Sequence, residues 1–172
     1  MSLPETYKVI IPDENHQPIA KELPLPKPST NQVLVKVAFA PINPTDFFRL
    51  QGAYDNTEYA SNLIGSEGSG IVVAVGENLK SPFKVGDRVH ILEGSWGQYV
   101  LAESEQVSHI LQKDLSFEEA ASHWINPATV YVVGMLADEG KHKAAIHNAG
   151  SSALGRMLIR YFKQKGIKLI NI

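Results

Sequence analysis

The sequence predicts a mixed β and α/β chain, a β-rich barrel or sandwich followed by a βαβ unit. Three observations carry that expectation. Short strand candidates recur over residues 1–110 with Gly and Asp turns between them. The hydrophobic period lengthens at Ser116. A strand, a small-residue turn, a helix and a second strand then fill residues 144–172.

Residues 7–11 form the first strand candidate. Residues 24–28, PLPKP, cannot join a ladder and are expected to be an extended linker. Val33, Val35 and Val37 alternate with Leu34 and Lys36, the pattern of a half-buried strand. Residues 71–75 are a β-branched run between glycines, expected as a buried strand. Turns are expected at 76–78 and 85–87, and short strands at 88–92, 98–102 and 107–111. Ser116 and Glu119 spell a capping box, opening a short helix expected to reach His123. Asn126-Pro127 suggests a second N-cap with proline at the first helical position, for a helix to about Ala137. Residues 144–148 are an apolar strand. Residues 157–165 are helical, with Leu158, Ile159 and Phe162 on one face and Gly166 as the stop. Residues 167–172 are a second apolar strand.

The composition excludes several function classes. There are no cysteines, so disulfides, thiolate nucleophiles and cysteine-bound metals are impossible. The net charge of −2 favours neither nucleic acid nor an anionic membrane. No run of about 18 apolar residues suggests a membrane span. The start, MSLPETYKVI, resembles neither a signal nor a transit peptide. A cytoplasmic location is expected, or a mitochondrial one if a transit peptide has been removed. His16, His90, His109, His123, His142 and His147 are scattered without the i, i+4 spacing of metal ligands, and are expected to be structural.

Three constellations could carry chemistry. In Asn148 to Gly155, small residues between a strand and a helix allow close backbone approach to a pyrophosphate. Helix-start amides and serine hydroxyls could meet it there, although the GxGxxG fingerprint is not met and such a turn is by itself often only a tight connection. In Gly65-Ser66-Glu67-Gly68-Ser69-Gly70, glycine density suggests close packing, with Glu67 as a buried partner for an Arg. The third is Asn43-Pro44-Thr45-Asp46, followed by Gln51-Gly52-Ala53-Tyr54. Tyr54 reads as a surface aromatic unless it faces a cofactor, where it could donate a proton to an enolate.

The order of these motifs, with Val85 to Val89, Trp96-Gly97-x-Tyr99 and Asn126-Pro127-x-Thr129, resembles the medium-chain dehydrogenase/reductase superfamily across essentially the whole chain. The resemblance implies a GroES-like β-barrel domain at 1–123 followed by the first βαβ unit of an NAD(P)-binding Rossmann domain at 124–172. Zinc enzymes of that family carry Gly-His-Glu where this chain has Gly65-Ser66-Glu67, so the zinc-free branch of quinone oxidoreductases and 2-enoyl thioester reductases is the one resembled. It implies NADPH as cofactor, with an enoyl thioester or quinone as substrate and no metal. It also implies Tyr54 as the catalytic proton donor. Asn43, Asn126, Thr129, Ser151, Ser152, Ala153 and Leu154 would contact the cofactor. Ala153 stands where the enoyl reductase turn has its second glycine. The family's chains are about twice this length, so a partial cofactor domain and an inactive isolated chain are expected. The apolar edge at 169–172 suggests a homodimer. The alternative is a non-catalytic GroES-like module acting through protein association.

Overall fold

The computed structural model describes residues 2–53, 63–110 and 112–172. The chain divides into two compact units, one ending at Ser122 and one running from His123 to Ile172.

In the first unit, β1 (Thr6–Pro12) pairs antiparallel with β2 (Pro18–Pro24). Asp13 shapes their turn, accepting from the amides of Asn15 and Gln17, both at 2.8 Å. β2 is absent from the sequence expectation because PIAKELP is almost wholly exposed and carries no apolar alternation. The main sheet is antiparallel, in the order β6-β3-β4-β5-β7. Its strands are β3 (Gln32–Phe39), β4 (Gly68–Val75), β5 (Arg88–Ile91), β6 (Tyr99–Glu103) and β7 (Val107–His109).

This sheet is covered on both faces. Val33, Val35, Val72, Val89, Ile91, Val100 and Val107 share one core. Leu34 faces the other way and packs with Tyr7, Val9 and Tyr99. The half-buried pattern expected for β3 is therefore corrected: Val33, Leu34 and Val35 are all buried, because β1 closes the second face. The buried run expected at 71–75 is corrected too. Ile71 and Val75 point outward, and burial falls instead on Gly68–Gly70 and Val72.

Gly70 explains how β3 and β4 approach so closely. A Cβ there would lie 2.3 Å from the Lys36 carbonyl oxygen and 2.7 Å from Val35 Cγ1. The capping box at Ser116 forms as expected, with the hydroxyl accepting from the Glu119 amide at 3.1 Å. The helix it opens, α2 after α1 (Pro44–Leu50), spans Phe117–Ala121 and stops short of His123. It is pinned to the sheet by Ser69 Oγ donating to the Phe117 carbonyl at 2.6 Å, and by His90 Nδ1 at 2.9 Å from the Ala120 carbonyl.

One corner is tied by charge. Asn31, at φ 62°, donates through Nδ2 to Glu103 at 3.1 Å and to Glu105 at 2.8 Å. Lys80 Nζ lies 2.7 Å from Glu105. Donation from Lys80, and then from Asn31, lowers the Glu105 carboxyl from 4.5 to about 2.

The second unit holds α3 (Ile125–Glu139), β8 (Ala144–His147), α4 (Ala153–Lys165) and β9 (Lys168–Asn171). β8 and β9 are parallel, with Ala145 opposite Leu169. Val130, Ala137, Leu158 and Phe162 form its core. Three sequence expectations change here. Trp124, not Asn126, caps α3, and Pro127 is its third residue. Proline is tolerated there because first-turn amides have no intrahelical acceptor. The helix also runs on to Glu139. Ile159 is exposed, since it lies a full helical step around from Leu158, while Met157 and Tyr161 pack instead. Gly166, at φ 69°, ends α4 as expected.

Two outcomes are expected. Gly70→Ala pushes a methyl into fixed backbone and costs about 1–3 kcal/mol by urea denaturation; an unchanged midpoint would show that the strands yield freely. Glu105 has a depressed carboxyl, so its contribution is present above about pH 4.5 and is lost as pH falls towards about 2. The thermal midpoint of the parent therefore exceeds that of Glu105→Gln near neutrality, and the gap narrows with acidification. A gap independent of pH would contradict the assignment.

Candidate active site

The polar junction of the first unit starts at Asn43. Asn-Pro disfavours helix at residue 43 and suits residue 44 to a first helical turn, so α1 begins there. The Asn43 amide donates to Asp46 Oδ2 at 2.7 Å, the reciprocal half of a cap. Its side-chain Nδ2 donates to Glu67 Oε1 at 3.0 Å. Ser66 Oγ donates to Asp46 Oδ1 at 2.7 Å and lies 3.1 Å from Thr45 Oγ1. Asp46 is 0% and Glu67 1% exposed.

The Gly65–Gly70 segment reaches this junction through a left-handed step at Gly65, φ 105°. A Cβ there would lie 2.4 Å from Ser95 Oγ and 2.7 Å from the Trp96 backbone nitrogen. Ser95 Oγ donates to the Glu67 carbonyl, and Trp96 Nε1 donates to the Pro41 carbonyl at 3.2 Å. Ser95 and Trp96 escaped the sequence reading as site residues. The available signal was the Trp96-Gly97-x-Tyr99 motif, which carries the family resemblance without showing what Trp96 or its neighbour Ser95 touches. Glu67 meets Asn43 here, and Arg49 pairs with Glu93 at 2.8 Å.

Tyr54, the expected proton donor, lies outside the described residues. α1 leads towards it: Leu50 is its last residue, and Gly52 turns the chain at φ 74°.

In the second unit, the β8–α4 turn has the geometry of a close-approach site. A Cβ on Gly155 would lie 2.3 Å from the Ala149 carbonyl oxygen, so only glycine lets the helix start sit against the turn. A Cβ on Gly150 would lie 2.7 Å from Asn171 Oδ1, a side chain at the end of β9 that the sequence reading missed. Ser152 caps α4: its hydroxyl accepts from the Gly155 amide at 3.0 Å and donates to the Ala149 carbonyl at 2.7 Å. That hydroxyl is thus committed to the turn and has no proton left to give a phosphate. Ser151 and Ala153 are exposed and Leu154 is half-buried. The amides of Ala153 and Leu154 open the helix, where the dipole favours an anion. Nδ1 of His147, at the end of β8, is buried without a hydrogen-bond partner among the described residues.

Asn126 and Thr129 lie three residues apart in the first turns of α3, both half-buried. Thr129 Oγ1 donates to the Ile125 carbonyl at 2.7 Å, leaving its lone pairs as acceptors. The structure thus gathers Ser151 to Leu154 at one helix start and Asn126 with Thr129 on another helix, while Asn43 belongs to the first unit. Among the described residues, no group of three or more His, Asp or Glu is placed to hold a metal. No described helix is long and apolar enough to cross a membrane.

Residues 29–112 match the alcohol dehydrogenase GroES-like domain family. The mitochondrial enoyl-[acyl-carrier-protein] reductase of Caenorhabditis elegans is 36% identical over 152 residues, covering 85% of this chain and 43% of that protein. The Arabidopsis thaliana protein of the same name is 33% identical over 175 residues, covering 96% of this chain and 46% of its own. Among solved structures, a putative NADPH:quinone reductase from Mesorhizobium loti superposes with TM-score 0.83 at 26% identity, over 99% of this chain and 55% of that one. The Escherichia coli quinone oxidoreductase complexed with NADPH gives 0.74 at 26% identity, over 96% and 52%. The chain therefore spans about half the length of the proteins it matches. With this fold, with Ser66 at the position of the zinc enzymes' histidine and with no cysteine, the chain belongs to the zinc-free quinone oxidoreductase and enoyl reductase branch of the medium-chain dehydrogenase/reductase superfamily.

Proposed function

We propose that this chain is the catalytic side of an NADPH-dependent reductase of activated alkenes, 2-enoyl thioesters or quinones. The observation that carries the proposal is the β8–α4 turn. Gly155 lets the start of α4 sit against the Ala149 carbonyl, and the amides of Ala153 and Leu154 open the helix there, where the dipole behind them favours an anion. The naming of curated relatives as enoyl-[acyl-carrier-protein] reductases supports the thioester over the quinone.

In this proposal Ser151, Ala153 and Leu154 hold the pyrophosphate, while Ser152 holds the turn that presents them. Asn126 and Thr129 orient the nicotinamide ring, Thr129 as an acceptor. Asn43 acts from within the buried junction, fixing the segment that leads to Tyr54. When bound, the cofactor supplies a hydride to the β-carbon of the alkene. The displaced π-electron pair moves to the α-carbon, where Tyr54 delivers a proton. Solvent then reprotonates the tyrosinate.

The 172 residues supply the pyrophosphate side of this site. Residues that recognise the adenosine ribose in a Rossmann unit follow its second strand. A polypeptide of these residues alone is expected to bind NADPH more weakly than about micromolar affinity, measured by cofactor fluorescence. Micromolar binding would mean the site is already complete. In a polypeptide carrying a whole cofactor domain, Tyr54→Phe is expected to lower enoyl-thioester turnover by about 10²–10⁴ while leaving NADPH affinity unchanged. An unaltered rate would remove Tyr54 from the reaction and favour the quinone.

A further inference from the structure

α1 has seven residues, a length that is not stable without contacts from outside the helix. Its first turn is held in the buried junction through Asn43 and Asp46. Its last turn has a separate requirement, because the final four carbonyls of a helix find no donor within it. Here they are those of Phe47, Phe48, Arg49 and Leu50. The chain that follows supplies three donors. The Gln51 amide donates to Phe47 at 3.1 Å, the Gly52 amide to Arg49 at 3.0 Å and the Ala53 amide to Phe48 at 3.0 Å. Among the described residues, the Leu50 carbonyl is served by a side chain. His16 Nδ1 lies 2.9 Å from it, from 34 positions earlier in the sequence. A carbonyl oxygen only accepts, so Nδ1 carries the proton and donates.

His16 is set in place by a closed turn between β1 and β2. Asp13 Oδ1 accepts from the amides of Asn15 and Gln17, and the Asp13 carbonyl accepts from the His16 amide at 3.0 Å. The His16 backbone is left-handed, at φ 60°, a region that favours glycine and asparagine. The turn alone therefore does not call for an imidazole. The side-chain donor that reaches Leu50 does. Arg49, the neighbour of Leu50, pairs with Glu93 at 2.8 Å, so the last turn of α1 is gripped from two sides.

We propose that His16 is a positioning residue of the reductase site. Its donation to Leu50 fixes the turn at residues 51–53, from which the chain enters Tyr54. The proposal rests on the reading of Tyr54 as proton donor. His16 does not meet the reacting atoms and acts through the end of α1. A shift of about 1 Å at a reacting group costs about 10²-fold in rate, so a hydrogen bond remote from the chemistry is enough to set it.

Two substitutions separate the donor from the turn. His16→Gly keeps the left-handed backbone and removes the donor. His16→Asn keeps both, because its Nδ2, like the histidine Nδ1, is bonded to Cγ. In the 172-residue chain, amide hydrogen exchange at Gln51, Gly52 and Ala53 is expected to quicken about three- to tenfold in His16→Gly, the effect of losing one neutral hydrogen bond. In His16→Asn it returns to within about twofold of the parent. The Ile10 amide, which donates to the Trp96 carbonyl at 2.8 Å, is the reference and keeps its rate. Circular dichroism checks each variant's fold. In a polypeptide carrying a whole cofactor domain, His16→Gly lowers kcat for an enoyl thioester at least about fivefold with the KM for NADPH unchanged, and His16→Asn restores it. Three results would each overturn the proposal: parent-like exchange at 51–53 in His16→Gly; equal quickening at Ile10, which is general destabilisation; or no recovery in His16→Asn. Tyr54→Phe separates the proposal from the reading beneath it. If Tyr54→Phe turns over like the parent, that reading fails. If Tyr54→Phe is slow and His16→Gly is as fast as the parent, the positioning role alone fails.

Discussion

Two carboxylates are buried side by side in the first unit, and the site depends on how they are satisfied. A buried carboxylate without partners is costly, and the cost falls when its lone pairs accept hydrogen bonds. Asn43 serves both groups at once, giving its amide to Asp46 and its side chain to Glu67. Ser66 supplies a second donor to Asp46. Moving α1 relative to the Gly65–Gly70 segment would strip donors from both acids together. The start of β4, the Ser95–Trp96 loop and the start of α1 are therefore held as one piece. The same arrangement commits both the amide and the side-chain Nδ2 of Asn43 to buried carboxylates.

The junction also shows what this chain does with the position that the zinc enzymes of the family use for a metal ligand. Ser66 is small and buried, and its hydroxyl is spent inside the protein on Asp46, with Thr45 beside it. A histidine would need several times the volume beside Asp46 and Thr45, which the Ser66 hydroxyl already meets. The replacement is thus a structural commitment: the acid remains, and its partner becomes an internal donor.

Much of the fold was legible in the sequence because its signals are local. The Ser116 capping box, the Gly166 stop and the short strands with Gly and Asp turns each depend on residues within a few positions. The failures share a different cause. β2 has no apolar period of its own and is a strand because β1 pairs with it. Leu34 is buried because Tyr7, Val9 and Tyr99 cover its face, from positions far along the chain. The α3 cap was misplaced because proline is equally at home at several first-turn positions. At the site, the residue types were readable from motif order, but their pairing was not. Asn43 meets Glu67 across 24 positions, and Ser95 meets Glu67 across 28.

Net charge is a poor guide to partners when a chain folds as more than one unit. At physiological salt, exposed charges are screened over about 8 Å, less than the width of either unit. The α4 face therefore carries a local excess of cations that the chain's −2 does not express. One helix then carries two features: its first turn presents the amides of Ala153 and Leu154, and its outer face a cationic stripe beside an apolar groove. The two are compatible because they use different atoms. Backbone N–H groups point along the axis at the N-terminus, while the Arg and Lys side chains project across it.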